Sequence, residues 1–200
     1  YCDMVKGGKL QNGNQINVCV PTGNFGNILA AFYAKRMGLP IGKLICASNQ
    51  NNVLTDFIHT GVYDRNRTFY NTLSPSMDIL ISSNLERLLH LLSRGKAPEV
   101  REYMDALSAT GRYKVKDELH QKIDQHFFAG YCDDKATRQT IRQVWDSAKY
   151  LIDPHTAVAV HVLAQYRVAT GDKTPSVIVS TASPFKFCDS VLTALGETKL

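Results

Sequence analysis

The spacing of hydrophobic and polar positions changes several times along this chain, and each change marks a new element. Three short runs are mostly apolar and rich in Val and Ile: Ile16–Val20, Lys43–Ala47 and Val177–Ser180. Runs of this length and makeup predict strands buried on both faces, as in a parallel sheet. Between the first two, Ile28–Gly38 is apolar in a helix-like pattern and closes on Gly38 and Pro40. Strand, helix and strand in that order form a βαβ unit, which takes a right-handed crossover.

Further along, the helical period dominates. Leu85, Leu88, Leu89, Leu91 and Leu92 follow Ser83 and Glu86, which have the spacing of a capping box, and Gly95 ends the segment. Pro98 suits the first turn of a helix reaching about Leu107. Asp117–Phe128 repeats Leu119, Ile123 and Phe127, and Asp134 is placed to cap a helix through Ile141, Val144 and Trp145. Asp153-Pro154 is a strong helix start. The helix it opens, Thr156–Ala169, is apolar on most sides, which predicts burial, and Gly171 ends it. The stretch 97–150 is more charged and more helical, with one strand-like piece at Arg112–Val115. The expected fold class is α/β, a mainly parallel open sheet flanked by helices. Residues 1–96 form a first α/β part, 97–150 a mostly helical insertion or subdomain, and 151–200 the return to the core.

Composition narrows the picture. Hydrophobic residues make up 44% of the 200 positions, enough for a sizeable core. The net charge of +5 comes without a long basic run, which predicts a solvated surface and no nucleic-acid partner. No apolar run is long enough to span a bilayer, so no membrane partner is expected. The five cysteines include no C-x-x-C pair and no Cys/His set with zinc spacing, so no metal site is expected. Scattered thiols in odd number predict a reducing, cytoplasmic setting. The opening Tyr1-Cys2-Asp3 has no signal-peptide character and lacks an initiator Met, as if cut from a longer chain.

The candidate chemistry lies in the loops that end the predicted strands. Pro21-Thr22-Gly23-Asn24-Phe25-Gly26-Asn27 joins the first strand to the first helix. Unpaired N–H groups at a first helical turn, the helix dipole and nearby glycines together favour an anion. No Gly-Lys-Ser/Thr follows, and the pattern is not G-x-G-x-x-G, so neither a nucleoside triphosphate nor a dinucleotide is favoured. A smaller phosphate ester fits better, although the same pattern also serves as a plain tight connection. Ser180-Thr181-Ala182-Ser183-Pro184-Phe185-Lys186-Phe187 follows the last strand. In a parallel sheet this places it at the same edge as the glycine loop, where ligands bind. Thr181 is a ligand hydroxyl or a turn hydroxyl on this reading. Asn49, Asn51 and Asn52 follow the middle strand, to serve a ligand or to build the turn. His155 reads as structural, next to the cap at Asp153.

These segments form an ordered set: Gly-Asn-Phe-Gly-Asn at 23–27, Ala-Ser-Asn-Gln-Asn-Asn-Val-Leu at 47–54, Ser-Pro-Ser-Met-Asp-Ile at 74–79, Ser-Ser-Asn-Leu-Glu-Arg-Leu-Leu at 82–89, Asp-Pro-His-Thr-Ala-Val-Ala at 153–159 and Ser-Thr-Ala-Ser-Pro-Phe-Lys-Phe at 180–187. The set resembles threonine synthase, a fold-type-II enzyme that uses pyridoxal 5′-phosphate (PLP), across nearly the whole chain. The resemblance implies that Gly23, Asn24, Phe25, Gly26 and Asn27 bind the PLP phosphate. It also implies that Thr181 sets a neutral hydroxyl near the pyridine nitrogen, which does not favour the protonated ring and so moderates the electron sink. The implied reaction converts O-phospho-L-homoserine and water to L-threonine and phosphate. The alternative is a threonine-synthase-like protein that binds PLP or another phospho-ligand without forming threonine. The family's Schiff-base lysine lies upstream of the glycine loop, and no residue here corresponds to it. Lys186 follows the pyridine-nitrogen loop and is not that lysine. The resemblance therefore implies a fragment without its catalytic lysine, shortened at both ends. Oligomeric state is not legible.

Overall fold

The computed structural model describes residues 1–197. In chain order the elements are α1 (Cys2–Lys6), β1 (Ile16–Pro21), α2 (Gly26–Arg36), β2 (Ile41–Ser48), α3 (Val53–Thr60), β3 (Val62–Asp64), α4 (Leu85–Leu92), α5 (Ala97–Thr110), β4 (Arg112–Lys114), α6 (Asp117–His126), β5 (Phe127–Tyr131), α7 (Asp134–Ala148), α8 (Pro154–Thr170), β6 (Ser176–Ile178) and α9 (Cys188–Leu195). Single 3₁₀ turns lie at Pro75–Met77 and Pro184–Phe187.

The main sheet is parallel with strand order β5-β2-β1-β6. Alternation along β1 and β2 divides the core between the two faces. Val18, Val20, Leu44 and Cys46 pack with Phe25, Phe32, Phe57 and Leu88 on one side. Cys19, Ile45 and Ala47 pack against Val158, Ala159, Val162 and Tyr166 of α8 on the other. A sheet covered on both faces explains why these strands read as continuous apolar runs and not as alternating ones. β3 and β4 form a separate antiparallel pair, where Tyr63 and Tyr113 stack with ring centroids 5.3 Å apart.

The chain steps from β1 to β2 and on to β5 in one direction, then returns to lay β6 on the free side of β1. The connection between β1 and β2, α2, packs in the first core, whereas α8, between β5 and β6, packs in the second. The crevice at the carboxyl ends of β1 and β6 is thus a topological switch point, the place where open α/β sheets bind ligands.

Three expectations change. Asp117–Phe128 was expected to be one helix, but α6 stops at His126 and Phe127–Tyr131 is β5, pairing with Leu44–Ser48. Leu119, Ile123 and Phe127 all end up buried, so the helical spacing was satisfied by a helix followed by a strand. The stretch 97–150 therefore holds a second strand, and that strand belongs to the main sheet. The cap of α7 is Asp133 rather than Asp134, its carboxylate accepting the Ala136 N–H at 2.7 Å. α4 begins after Asn84 with no side-chain cap, so Ser83 and Glu86 form no capping box. The Ser83 hydroxyl turns instead to Asn24. At α8 the expected start holds: Asp153 accepts the N–H groups of His155 and Thr156, and Gly171 closes the helix in the left-handed conformation.

Candidate functional site

β1 is buried along its full length and delivers the chain to the sheet edge at Pro21. There the Thr22 N–H bonds to the Ala47 carbonyl at 2.8 Å. From Gly23 to Ile28, no backbone N–H donates to a protein acceptor among the described residues. These are the free donors of the α2 N-terminus together with those of the loop before it. Phe25 is the N-cap and lies in the left-handed region at φ 63°. That is an outlier for a bulky residue, and its surroundings hold it there. Its side chain is buried in the first core, 5.7 Å from the ring of Phe127. A left-handed residue just before a right-handed helix turns successive N–H groups toward one point, forming an anion nest.

The glycines serve this loop differently from the expectation that both simply bring backbone close to a ligand. Neither Gly23 nor Gly26 has a positive φ. A Cβ on Gly23 would meet the Met77 Cα and the Ser76 carbonyl oxygen, each at 3.0 Å. A Cβ on Gly26 would meet only the Asn84 side chain, at 3.5 Å. Gly23 is needed for protein packing, and Gly26 is sterically free on its protein side.

A brace of three residues takes up the loop's acceptors. The Ser82 hydroxyl donates to the Gly23 carbonyl at 2.8 Å. The Ser83 N–H and hydroxyl both donate to Asn24 Oδ1, at 2.7 and 2.8 Å. Asn84 Nδ2 donates to the Asn24 carbonyl at 2.8 Å. The brace thus takes the loop's oxygens, while its N–H groups keep no protein acceptor among the described residues.

That crevice is a cavity of about 410 Å³. Gly23, Asn24, Phe25, Gly26, Asn27 and Thr181, the six residues singled out from the sequence, all line it. Ser76, Met77, Asn84 and His155 line it too, with Pro21, Thr22, Ile28 and Ala182, and the lining contains no Asp, Glu, Lys or Arg. Its donor set is therefore neutral, made of backbone N–H groups, hydroxyls and amides, which suits an oxyanion. Thr181 is exposed, and its hydroxyl has no hydrogen-bond partner among the described residues. Lys186 lies outside the cavity lining.

Sequence reasoning placed His155 in a structural role, but it sits in this wall and is almost fully buried. Asp153 is fully buried beside it, with Oδ1 2.9 Å from His155 Nδ1. Burial alone raises the Asp153 pKa, but hydrogen bonds from His155 and Thr156 outweigh it and hold the carboxyl below its usual value. The asparagines after β2 have a different fate. Asn49 Nδ2 reaches Thr72, Ser74 and Asp78, and Asn51 Nδ2 reaches the Tyr70 carbonyl and Asp78. Asn52 is held by Asp56 and Arg67. These residues build the turn. The thiols of Cys19, Cys46 and Cys132 are pushed up by burial and are chemically quiet.

A larger cavity of about 720 Å³ lies between the α4–α5 turn and α6. Its lining mixes Arg94, Lys96, Lys116 and Lys122 with Glu99, Asp117 and Glu118, and Lys116 pairs with Glu99 at 3.2 Å. It is remote from the sheet's carboxyl edge and contains none of the loops above.

Comparison with known proteins bears on the family. Residues 156–200 match the family model described as "Threonine synthase, C-terminal". The chain is 46% identical over 197 residues to human "Threonine synthase-like 1", covering 98% of this chain and 26% of that protein. It is 39% identical over 200 residues to the threonine synthase of Saccharomyces cerevisiae, covering 93% of this chain and 39% of that one. Among solved structures, the PLP-bound threonine synthase of Brucella melitensis superposes with a TM-score of 0.88 at 40% identity, covering 96% of this chain and 41% of its own. The chain thus spans between about a quarter and two fifths of the length of these relatives. With its parallel sheet, its switch-point crevice and these relatives, the chain is similar over nearly its whole length to part of the threonine synthases and has the fold-type-II architecture of PLP enzymes.

Proposed function

We propose that this chain holds PLP in the crevice between β1 and β6. Gly23, Asn24, Phe25, Gly26 and Asn27 bind the phosphate, and Thr181 faces the pyridine nitrogen. The observation that carries the reading is the row of N–H groups from Gly23 to Ile28 without protein acceptors, opening into the cavity that Thr181 also lines. The neutral lining fits a phosphate held by backbone donors and a helix dipole rather than by a cation. PLP supplies the electron sink that stabilises negative charge on a substrate carbon. The chain's own residues hold and orient the group. The nest of N–H groups fixes one end, the brace Ser82–Asn84 keeps the nest open, and Thr181 offers an uncharged hydroxyl at the other end.

The protein carrying this chain then acts as a PLP-dependent lyase on O-phospho-L-homoserine, releasing phosphate and forming L-threonine with water. Five free thiols suit the reducing cytoplasm as its compartment. A second reading is compatible with the same similarity, because the chain is also 46% identical to a human protein named only "Threonine synthase-like 1": a relative that binds PLP or another phospho-ligand without forming threonine. Incubating the full-length protein with PLP and O-phospho-L-homoserine separates the two. Stoichiometric release of threonine and phosphate supports the enzyme. Tight PLP binding without threonine supports the binder. Absence of PLP binding removes the enzyme and leaves, of the second reading, only a binder of another phospho-ligand.

A further inference from the structure

We infer that His155 is a positioning residue of the cofactor-phosphate cavity: held by Asp153 through one ring nitrogen, it fixes with the other the wall against which Gly23 lies. This rests on the PLP reading above. His155 is 2% exposed and Asp153 0%. Asp153 Oδ1 accepts the His155 N–H at 2.8 Å and lies 2.9 Å from Nδ1. An ionised carboxylate only accepts, so Nδ1 carries the proton. In the neutral ring Nε2 is then the acceptor, and the Ser76 N–H donates to it at 3.3 Å. Each nitrogen has one complementary partner.

Ser76 is where this pair meets the cradle. The Ser76 carbonyl oxygen and the Met77 Cα stand 3.0 Å from the point where a Gly23 Cβ would be. The segment that His155 holds is therefore in van der Waals contact with the first residue of the phosphate loop. The ring of His155 also lies 5.0 Å from that of Phe187, in the 3₁₀ turn that follows Thr181. Next to it, the Thr156 hydroxyl reaches Ser180 at 3.2 Å. His155 and its neighbour thus join the two walls that hold opposite ends of the ligand. A histidine that merely stabilised the start of α8 would need only its contact with Asp153. The second nitrogen, committed to a cavity-wall N–H, is what the positioning role adds.

The two nitrogens can be separated by substitution in the full-length protein. His155→Gln can offer an oxygen to the Ser76 N–H, His155→Asn keeps a donor near Asp153 but falls short of Ser76, and His155→Leu does neither. By equilibrium dialysis, PLP dissociation should rise about ten-fold for the Leu and Asn variants and stay within about three-fold of wild type for Gln. Rescue by Asn and not by Gln, or unchanged affinity in the Leu variant, overturns the inference. A measurement on the unsubstituted protein covers variants that fail to fold. The ¹⁵N resonances of His155 should report a neutral ring protonated at Nδ1, and protonation at Nε2 overturns the proposal. If the wild-type protein binds no PLP, the cofactor reading fails, while the tautomer still reports on the Asp153–His155–Ser76 chain.

Discussion

Two loops leave the same edge of the same sheet from neighbouring strands, and they treat their polar groups in opposite ways. After β2, the amides of Asn49 and Asn51 are turned inward, and Asp78 binds both of them as well as the Thr72 N–H and hydroxyl. After β1, the loop's oxygens are taken by Ser82, Ser83 and Asn84, and its N–H groups are left without protein partners. Asparagine does not separate the two, since both loops carry it. What separates them is where the hydrogen bonds end. A closed polar knot rigidifies the edge, while an open row of donors is a site.

The sharpest way to break this contrast is at Gly23. A side chain there meets backbone atoms of Ser76 and Met77 that cannot rotate away. Gly23→Val should raise the PLP dissociation constant about a hundred-fold, and fluorescence titration of the full-length protein measures it. Retention of wild-type affinity would show that the cradle lies elsewhere. The knot should respond in the other currency. Asp78→Ala removes an acceptor shared by Asn49, Asn51 and Thr72 and leaves the Thr72 N–H without its partner, and should cost about 3 kcal/mol of stability in urea unfolding. Its effect on PLP affinity should stay below about five-fold at temperatures where the fold persists. A variant that lost affinity while keeping its stability would merge the two loops into one site.

The hydrophobic pattern made β1, β2, β6, α2, α5 and α8 legible, because each has an apolar run or period with marked ends. Phe127 shows where that legibility stops. It completes the helical spacing of Leu119 and Ile123, yet its backbone is extended and it begins β5. The choice was made by the open side of β2, a long-range pairing that no local window contains. Likewise, the spacing of Ser83 and Glu86 satisfies a capping box, but Asn24, 59 residues away in sequence, competes for the Ser83 hydroxyl and wins. At the site, the glycine loop and Thr181 were readable from their positions after strands. The left-handed residue is Phe25, though, held by its buried ring and not supplied by a glycine. Ser76 and His155 lie in two of the segments that carry the resemblance, but nothing local placed them in the cavity wall. Their role exists only where α8 and the Pro75–Met77 turn meet.

The brace predicts a smaller effect than either loop. Ser82→Ala and Ser83→Ala each remove a hydroxyl donor from a loop oxygen that water can partly replace, because Asn24 is exposed. Each should weaken PLP binding by roughly 1 kcal/mol, about five-fold, with unfolding midpoints nearly unchanged. The double variant should exceed the sum of the two, since Gly23 and Asn24 are adjacent and share one conformation. Strict additivity, measured in the same titration, would mean that the two hydroxyls act on the ligand separately and do not hold a common loop.

Gly26 gives the smallest expected effect and the finest test. It opens α2, has no positive φ, and its Cβ would find only the Asn84 amide at ordinary contact distance. Alanine there lowers the conformational entropy lost on folding, so Gly26→Ala should leave stability unchanged or raise it by up to about 1 kcal/mol. If the phosphate is held by N–H groups at hydrogen-bond distance, PLP affinity should change less than about three-fold. A loss of ten-fold or more in a protein of undiminished stability would place the ligand in contact with the Gly26 Cα itself. The two glycines would then do different work: Gly23 admits the wall behind the cradle, and Gly26 admits the anion in front of it.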